Sequence, residues 1–430
     1  MDKSPAKSNL LDLVEPDIEL AKKMFDELST KTADGPGVTR ASYGEGENIA
    51  HHILRREGER LKLHIETDAA SNLYLTLSGE IPNRKIIIGS HLDSVPLGGN
   101  FDGAAGVLCG LSVIAGFVSA DLVPPRDITL MAIRAEESTW YEASYIGSRA
   151  AFGQLSSDEL DQLKRSSDGV NLGVAISAAG GNLASLRAGK PHLSAQGIAL
   201  YLEAHIEQGP SLVIENAPLA VVSGIRGAVR YRSAVCKGTY AHSGAMPRAA
   251  RCDTVRATAA LVMAMETVWD NAERNNDDMV VTFGKLSTDP AEHAFSKVAG
   301  RVDFALEIRS QSPEVLHNAV GKLISLVEQI SRQYSVCFDL GPRTDSRPAA
   351  MEKSVQAALQ SAISSLGLPV LTIPCGAGHD AAVFAEMGVP TGMLLIRNEN
   401  GSHNPDEAME IADFAAAAKV LTRICQAPPL

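Results

Sequence analysis

The sequence has no C-x-x-C pair, no apolar run long enough to span a bilayer and no dense stretch of lysine or arginine. Its six cysteines, Cys109, Cys236, Cys252, Cys337, Cys375 and Cys425, are scattered, which argues against a disulfide framework or a zinc ribbon and fits reduced thiols in a cytosol. The longest weakly polar stretch, 107–120, ends at Asp121 after about 14 residues, short of the roughly 18 to 20 that a spanning helix needs. Membrane insertion is therefore not expected. Lys and Arg number 39 against 51 Asp and Glu, a net charge of −12. With no basic patch to neutralise a phosphate backbone, nucleic acid is not an expected partner. The opening MDKSPAKSNLLDLVEPD places acids where a signal peptide carries an uninterrupted apolar region, so a cytoplasmic location is the expectation.

What is present is an ordinary globular composition, 45% hydrophobic and 21% charged over 430 residues, enough for two or three domains with large cores. Periodicity predicts helices over 10–28 and 42–60 and short strands at 63–66 and 72–77. The run Ile86-Ile87-Ile88 is β-branched on both faces, the mark of a central strand in a covered sheet. A glycine-rich loop at 98–103 leads into a buried helix over 104–118, followed by an apolar strand at 127–132. The pattern changes near residue 211: alternating segments at 229–237, 279–286 and 302–308 enclose a helix over 252–272, and another covers 313–334. This predicts a small α+β domain, 212–331, inserted into a larger α/β domain formed by 1–211 and 332–430. In the latter, 351–366 is helical and 369–373 and 391–396 are extended.

In an open α/β sheet the ligand crevice lies at the carboxyl ends of the strands, so the residues just after Ile88 and Ile133 come first. His91 can offer an imidazole nitrogen to a divalent metal, and Asp93 can orient the ring. Asp102, on the glycine-rich turn, has two oxygens with which to bridge two ions. Adjacent Glu136 and Glu137 repel unless a cation holds one ionised while the other handles a proton, which makes Glu137 a ligand and Glu136 a general base. His205 in EAHIEQGP and His403 in GSHNPDE stand in polar, turn-forming contexts. Either histidine alone is unremarkable. Together with His91, Asp102 and Glu137 they form a five-ligand set suited to a two-metal hydrolase.

These segments carry a resemblance. GSHLDSVPLGGNFDG, EES, EAHIEQGP, GTYAHSGAMPRAARCD, GAGHD and NGSHNPDE, in this order over almost the whole chain, resemble the hydantoinase/carbamoylase family of dinuclear metal amidohydrolases, relatives of the zinc aminopeptidases; Gly37-Val38-Thr39-Arg40 resembles its N-terminal motif. The resemblance implies a zinc-aminopeptidase-like catalytic domain with an inserted ferredoxin-like lid and dimerisation domain, working as a homodimer. It implies two divalent ions per subunit, Zn2+ first, with Mn2+, Co2+ or Ni2+ as alternatives: His91 and His205 on one, Glu137 and His403 on the other, Asp102 between them. Glu136 would activate water, and His242 would serve the partner subunit's active site by stabilising the oxyanion. Gln208 would contact the carbamoyl group and Arg309 the substrate carboxylate. The implied reaction is hydrolysis of an N-carbamoyl-L-amino acid to amino acid, ammonia and CO2. Alternatives on the same machinery are allantoate, ureidoglycolate, N-carbamoyl-β-alanine or an N-acyl amino acid or dipeptide. The intact ligand set argues against a non-catalytic binding protein.

Three departures bear on the substrate. Trp140 stands where the family has a pocket arginine, and Ser296 stands where it has an asparagine thirteen residues before Arg309. Arg397, before the last histidine motif, is unusual, and is expected here to recognise a second anionic group.

Overall fold

The computed structural model describes residues 14–429; the N-terminal stretch and the start of the helix expected over 10–28 lie outside the described residues. The chain forms two compact units, one running to Ser223 and resuming at Met351, the other Gly224–Ala350.

The first unit is built on a mixed sheet. Its centre is four parallel neighbours in the order Thr391–Ile396, Ile198–Ile206, Ile81–His91 and Arg126–Ile133. Antiparallel strands flank them, Leu219–Ile225 on one side and Leu73–Leu77 then His64–Thr67 on the other. Covered parallel strands read as continuous apolar runs, and Ile198–Ile206 and Thr391–Ile396 are buried at every position. The helix Ala104–Ser119 is buried from Ala104 through Phe117, as expected of a helix apolar all round. Its residues form one core cluster with Ile86, Ile88, Leu130, Leu202 and Phe414. The expected helix at 42–60 is Glu45–Arg60, that at 351–366 is Lys353–Ser365, and the extended segment lies at Thr372–Cys375.

The second unit runs strand Gly227–Lys237, helix Thr254–Arg274, strands Val280–Thr288 and Arg301–Ser310, helix Pro313–Tyr334 and strand Cys337–Asp339. Spatially the strands order as 280–288, 301–310, 227–237 and 337–339, all antiparallel, which is the ferredoxin-like β-α-β-β-α-β arrangement. Burial alternates strictly along Arg301–Ser310, the pattern of a sheet with one face on the core. That core joins Phe304, Leu306 and Ile308 to Leu261, Met265, Leu316 and Leu323. The unit's edges fall later than the expected 212 and 331. Leu219–Ile225 is held to the first sheet by pairing with Thr391–Ile396. Cys337–Asp339 and Arg343–Ser346 pair with Gly227–Lys237. Among the described residues no helix is long and apolar enough to cross a membrane.

Candidate metal centre and active site

Four segments leave the carboxyl ends of the four parallel strands, and they bring the expected residues together. His91 ends its strand, Glu136 and Glu137 follow the strand ending at Ile133, and His403 follows the strand ending at Ile396. His205 corrects the expectation of a polar turn: it lies inside Ile198–Ile206 and is fully buried. The ladder between the His91 and His205 strands ends at Ile88↔Leu202. Each histidine lies three residues beyond that pair, so the two rings face each other.

Two groups of candidate ligands share Asp102. In the first, Asp102 Oδ1 lies 3.5 Å from His91 Nε2 and 3.3 Å from His205 Nε2. In the second, Asp102 Oδ2 lies 3.5 Å from His403 Nε2, which is 3.4 Å from Glu137 Oε1. Within each group all three ligand atoms fall within 4.8 Å of one another. The arrangement fits divalent cations on chemical grounds. His91 Nδ1 faces the Asp93 carbonyl at 3.0 Å and His205 Nδ1 the Ile206 carbonyl at 2.9 Å, so each Nδ1 carries the proton and each Nε2 a lone pair. Those lone pairs face each other at 3.4 Å, with a carboxylate beside them. A cation among them turns this repulsion into ligation.

The surrounding shell sets these positions. Asp93 is fully buried. Its Oδ1 accepts the Glu136 N–H and its Oδ2 the Glu137 N–H, both at 3.1 Å, and Oδ2 also takes the Ser42 hydroxyl at 2.6 Å. Ala135, just before them, has φ of +52°, a left-handed conformation costly for a residue with a Cβ. It is held by Glu47, whose Oε1 accepts the Ala135 N–H at 2.9 Å and whose Oε2 pairs with Arg134 at 2.8 Å. Gly103 also has a positive φ, and a Cβ there would lie 2.4 Å from the His91 ring. Arg40, of the N-terminal motif, is fully buried and donates to the Leu92 carbonyl at 2.7 Å and to Asn100 Oδ1 at 3.1 Å, bracing the loop between His91 and Asp102. Glu407 accepts the Phe101 and Asp102 N–H groups at 2.8 and 3.1 Å.

Glu136 lies in the same pocket, 3.9 Å from His91 Nε2. Burial pushes its carboxyl well above the usual carboxylate range; the imidazolium form of His91 would pull it down, while the charges of Glu137, Asp380 and Asp93 push it further up. Asp102 goes the other way: burial opposes its charge, but the imidazolium forms of His205 and His91, each then donating from Nε2, would outweigh that and hold it well below the usual range. The two carboxyls thus differ in proton affinity, which separates a proton carrier from a ligand.

The remaining expected residues divide. Gln208 belongs to the cluster, its Nε2 donating to Asp102 Oδ2 at 2.7 Å. Arg397 does not support the anion-recognition expectation. Its guanidinium pairs with both Asp413 oxygens, at 2.8 and 3.2 Å, and donates to Asn216 at 3.1 Å, so its charge is already matched at the start of the helix Ile411–Gln426. Trp140 is likewise a core residue rather than a pocket wall: it is buried among Tyr141, Ile146 and Leu172, and its ring N–H donates to the Ser94 carbonyl at 2.8 Å. His242, Ser296 and Arg309 belong to the second unit. His242 is exposed, and its Nδ1 accepts the Gly244 and Ala245 N–H groups, both at 3.2 Å. Its Nε2 therefore carries the proton and is a donor. Ser296 is exposed, and its carbonyl accepts the Ser243 N–H at 2.8 Å. Arg309 donates to Glu307 at 2.8 Å.

Sequence reasoning missed Glu47, Ser402 and the buried pairing of Arg134. Ser402 and Glu407 lay within the quoted motif NGSHNPDE, but without a role. Their partners are distant in sequence, so spacing carries no signal for them.

The α/β framework and paired cluster are those of a metal-dependent hydrolase. The chain belongs to peptidase family M20/M25/M40, whose pattern matches residues 87–427. It is 31% identical over 411 residues to an N-carbamoyl-L-amino-acid amidohydrolase of Paenarthrobacter aurescens, covering 95% of this chain and 97% of that one. It is 30% identical to the allantoate amidohydrolase of Escherichia coli strain K12, over 90% of this chain and 91% of that one. A solved hydantoinase/carbamoylase-family amidase from Burkholderia phymatum superposes with a TM-score of 0.83 at 27% identity, covering 96% and 97% of the two chains. The resemblance read from the motifs is thereby borne out, and the protein is an enzyme, a hydrolase of a metal-dependent family.

Proposed function

We propose that this enzyme hydrolyses the ureido C–N bond of an N-carbamoyl-L-amino acid, releasing the amino acid, ammonia and CO2. The carrying observation is Asp102 shared between two His/carboxylate groups with Glu136 beside them. In this reading His91 and His205 hold one divalent ion, Glu137 and His403 the other, and Asp102 both; the set accepts Zn2+ first and Mn2+, Co2+ or Ni2+ as alternatives. When bound, the ions supply Lewis acidity to a carbonyl and acidify a water. Glu136 takes a proton from that water as its oxygen bonds to the ureido carbon. It then delivers the proton to the leaving nitrogen as the C–N bond breaks. Gln208 orients the carbamoyl group from beside Asp102, and Arg309 binds the substrate carboxylate. His242, in a homodimer, donates its Nε2–H to the oxyanion of the partner's substrate.

A second reading, hydrolysis of allantoate on the same residues, is supported by a relative of that name at nearly the same identity. Ammonia release from N-carbamoyl-L-amino acids, allantoate, ureidoglycolate and N-acyl amino acids, with enzyme loaded with Zn2+ or Mn2+, tests both. Metal-dependent release from a carbamoyl amino acid is expected. Release from allantoate alone selects the second reading, and free amino acid from only an N-acyl substrate overturns both.

A further inference from the structure

Behind the segment that carries Glu136 and Glu137 lies a cavity of about 410 Å³ lined by the helix Glu45–Arg60, the end of the strand His64–Thr67, Ser71, Arg134 and the turn at 178–180. No Asp or Glu lines it, although the chain as a whole carries a net charge of −12. Its charged and titratable lining is basic: His51, His52, Arg55 and Arg134. His51 is 5% exposed, and neither ring nitrogen has a hydrogen-bond partner, a rare state for a buried imidazole. One helical turn on, the side chain of half-buried Arg55 forms no hydrogen bond or ion pair with a described residue. Arg134, itself buried, donates Nε to the Ser71 carbonyl at 3.2 Å and Nη1 to Glu47 and Asn48 at 2.8 Å. Its Nη2 has no partner among the described residues.

A cavity of this size takes a small molecule. The unpaired Arg55 guanidinium, the free Nη2 donors of Arg134, whose charge Glu47 already matches, and an orphaned imidazole, around a space lined by no acid, match an oxyanion that can accept several hydrogen bonds at once. We propose that this cavity is a binding site, separate from the catalytic cluster, for a small molecule bearing a carboxylate or phosphate, held by Arg55, His51 and Arg134. Nothing in the proposal depends on which amide the enzyme cleaves.

The test uses metal-loaded enzyme and the variant Arg55→Glu, with Arg55→Ala as a milder second variant. Arg55 touches none of the candidate ligands or the base, so both variants keep wild-type turnover, which also reports that they fold. Crystals soaked in selenate should show an anomalous peak within hydrogen-bonding distance of Arg134 in the wild type and none in Arg55→Glu. In solution, phosphate and acetate are added separately at constant ionic strength. At least one should raise the wild-type Tm by more than it raises that of the variants, and which one does so identifies the headgroup. Selenate found only beside His91, Asp102 and His403, or Tm responses to both anions that are equal in wild type and variants, would overturn the proposal.

Discussion

Glu407 is joined to Asp102 twice: its Oε1 accepts the Asp102 N–H at 3.1 Å, and its Oε2 meets Asp102 Oδ2 through the Ser402 hydroxyl, which lies 2.6 Å from the first oxygen and 2.5 Å from the second. A hydroxyl has one hydrogen, so two carboxylate oxygens at these distances need a second proton between them. Glu407 is its place, since burial and the neighbouring Asp102 charge both raise its proton affinity. A Gln at 407 reproduces that state, donating to Ser402 and accepting the two backbone N–H groups. Glu407→Gln should therefore keep wild-type metal affinity, whereas Glu407→Ala should weaken it by about 10- to 100-fold. Competition with a calibrated chelator measures both, and equal losses in the two variants would refute the protonated state.

Glu136 carries the proton in the proposed reaction but is not among the ligands. Glu136→Gln should lower kcat by about 10²- to 10⁴-fold while elemental analysis still finds two ions per subunit. Normal turnover, or loss of an ion, would contradict the division of roles between Glu136 and Glu137.

Arg397 is paired with Asp413. Arg397→Ala should leave KM unchanged for the best substrate and lower stability by about 1–3 kcal/mol, because it strands the buried Asp413 carboxylate. A large rise in KM would restore the anion-recognition role that the structure argues against.

The proposed action of His242 across a dimer can be read from mixed dimers. A subunit with His242→Ala paired with one carrying Glu136→Gln retains one complete site if His242 acts on its partner, and none if it acts within its own chain. Activity above that of either mutant homodimer is the expected result; its absence argues for action in cis or for no dimer.

Removing the ions should expose the facing Nε2 lone pairs of His91 and His205 to each other. Ions that bind only the folded state stabilise it by about 4 kcal/mol when present at a thousand times Kd. Chelated enzyme should thus show a lower Tm and no activity, both restored by added Zn2+ or Mn2+. An unchanged Tm would mean that the cluster holds no ion in the native protein.

Much of this protein is legible in its sequence because short-range rules act there. The Ile86-Ile87-Ile88 run, the all-apolar helix after Gly103 and the alternation along 302–308 each report burial through periodicity, and the element order alone predicts two kinds of domain. The candidate ligands are legible as well, since each sits in a compact motif at a strand end. The strand that holds His205 was missed because the buried polar residues Glu203 and His205 interrupt its apolar run, so that its end reads as a polar segment.

Tertiary structure decided what depends on partners far apart in the chain. Residue type could not distinguish Arg397 from a substrate-binding arginine, because its role was settled by Asp413, sixteen residues later on a different element. Trp140 became a core residue through the Ser94 carbonyl, and the Ala135 turn is held by Glu47, 88 residues earlier. Chain order determined the five ligand types and the two domain types. Which oxygen of Asp102 faces which histidine, and which buried carboxyl keeps a proton, depended on distances and burial that exist only once the strands are side by side.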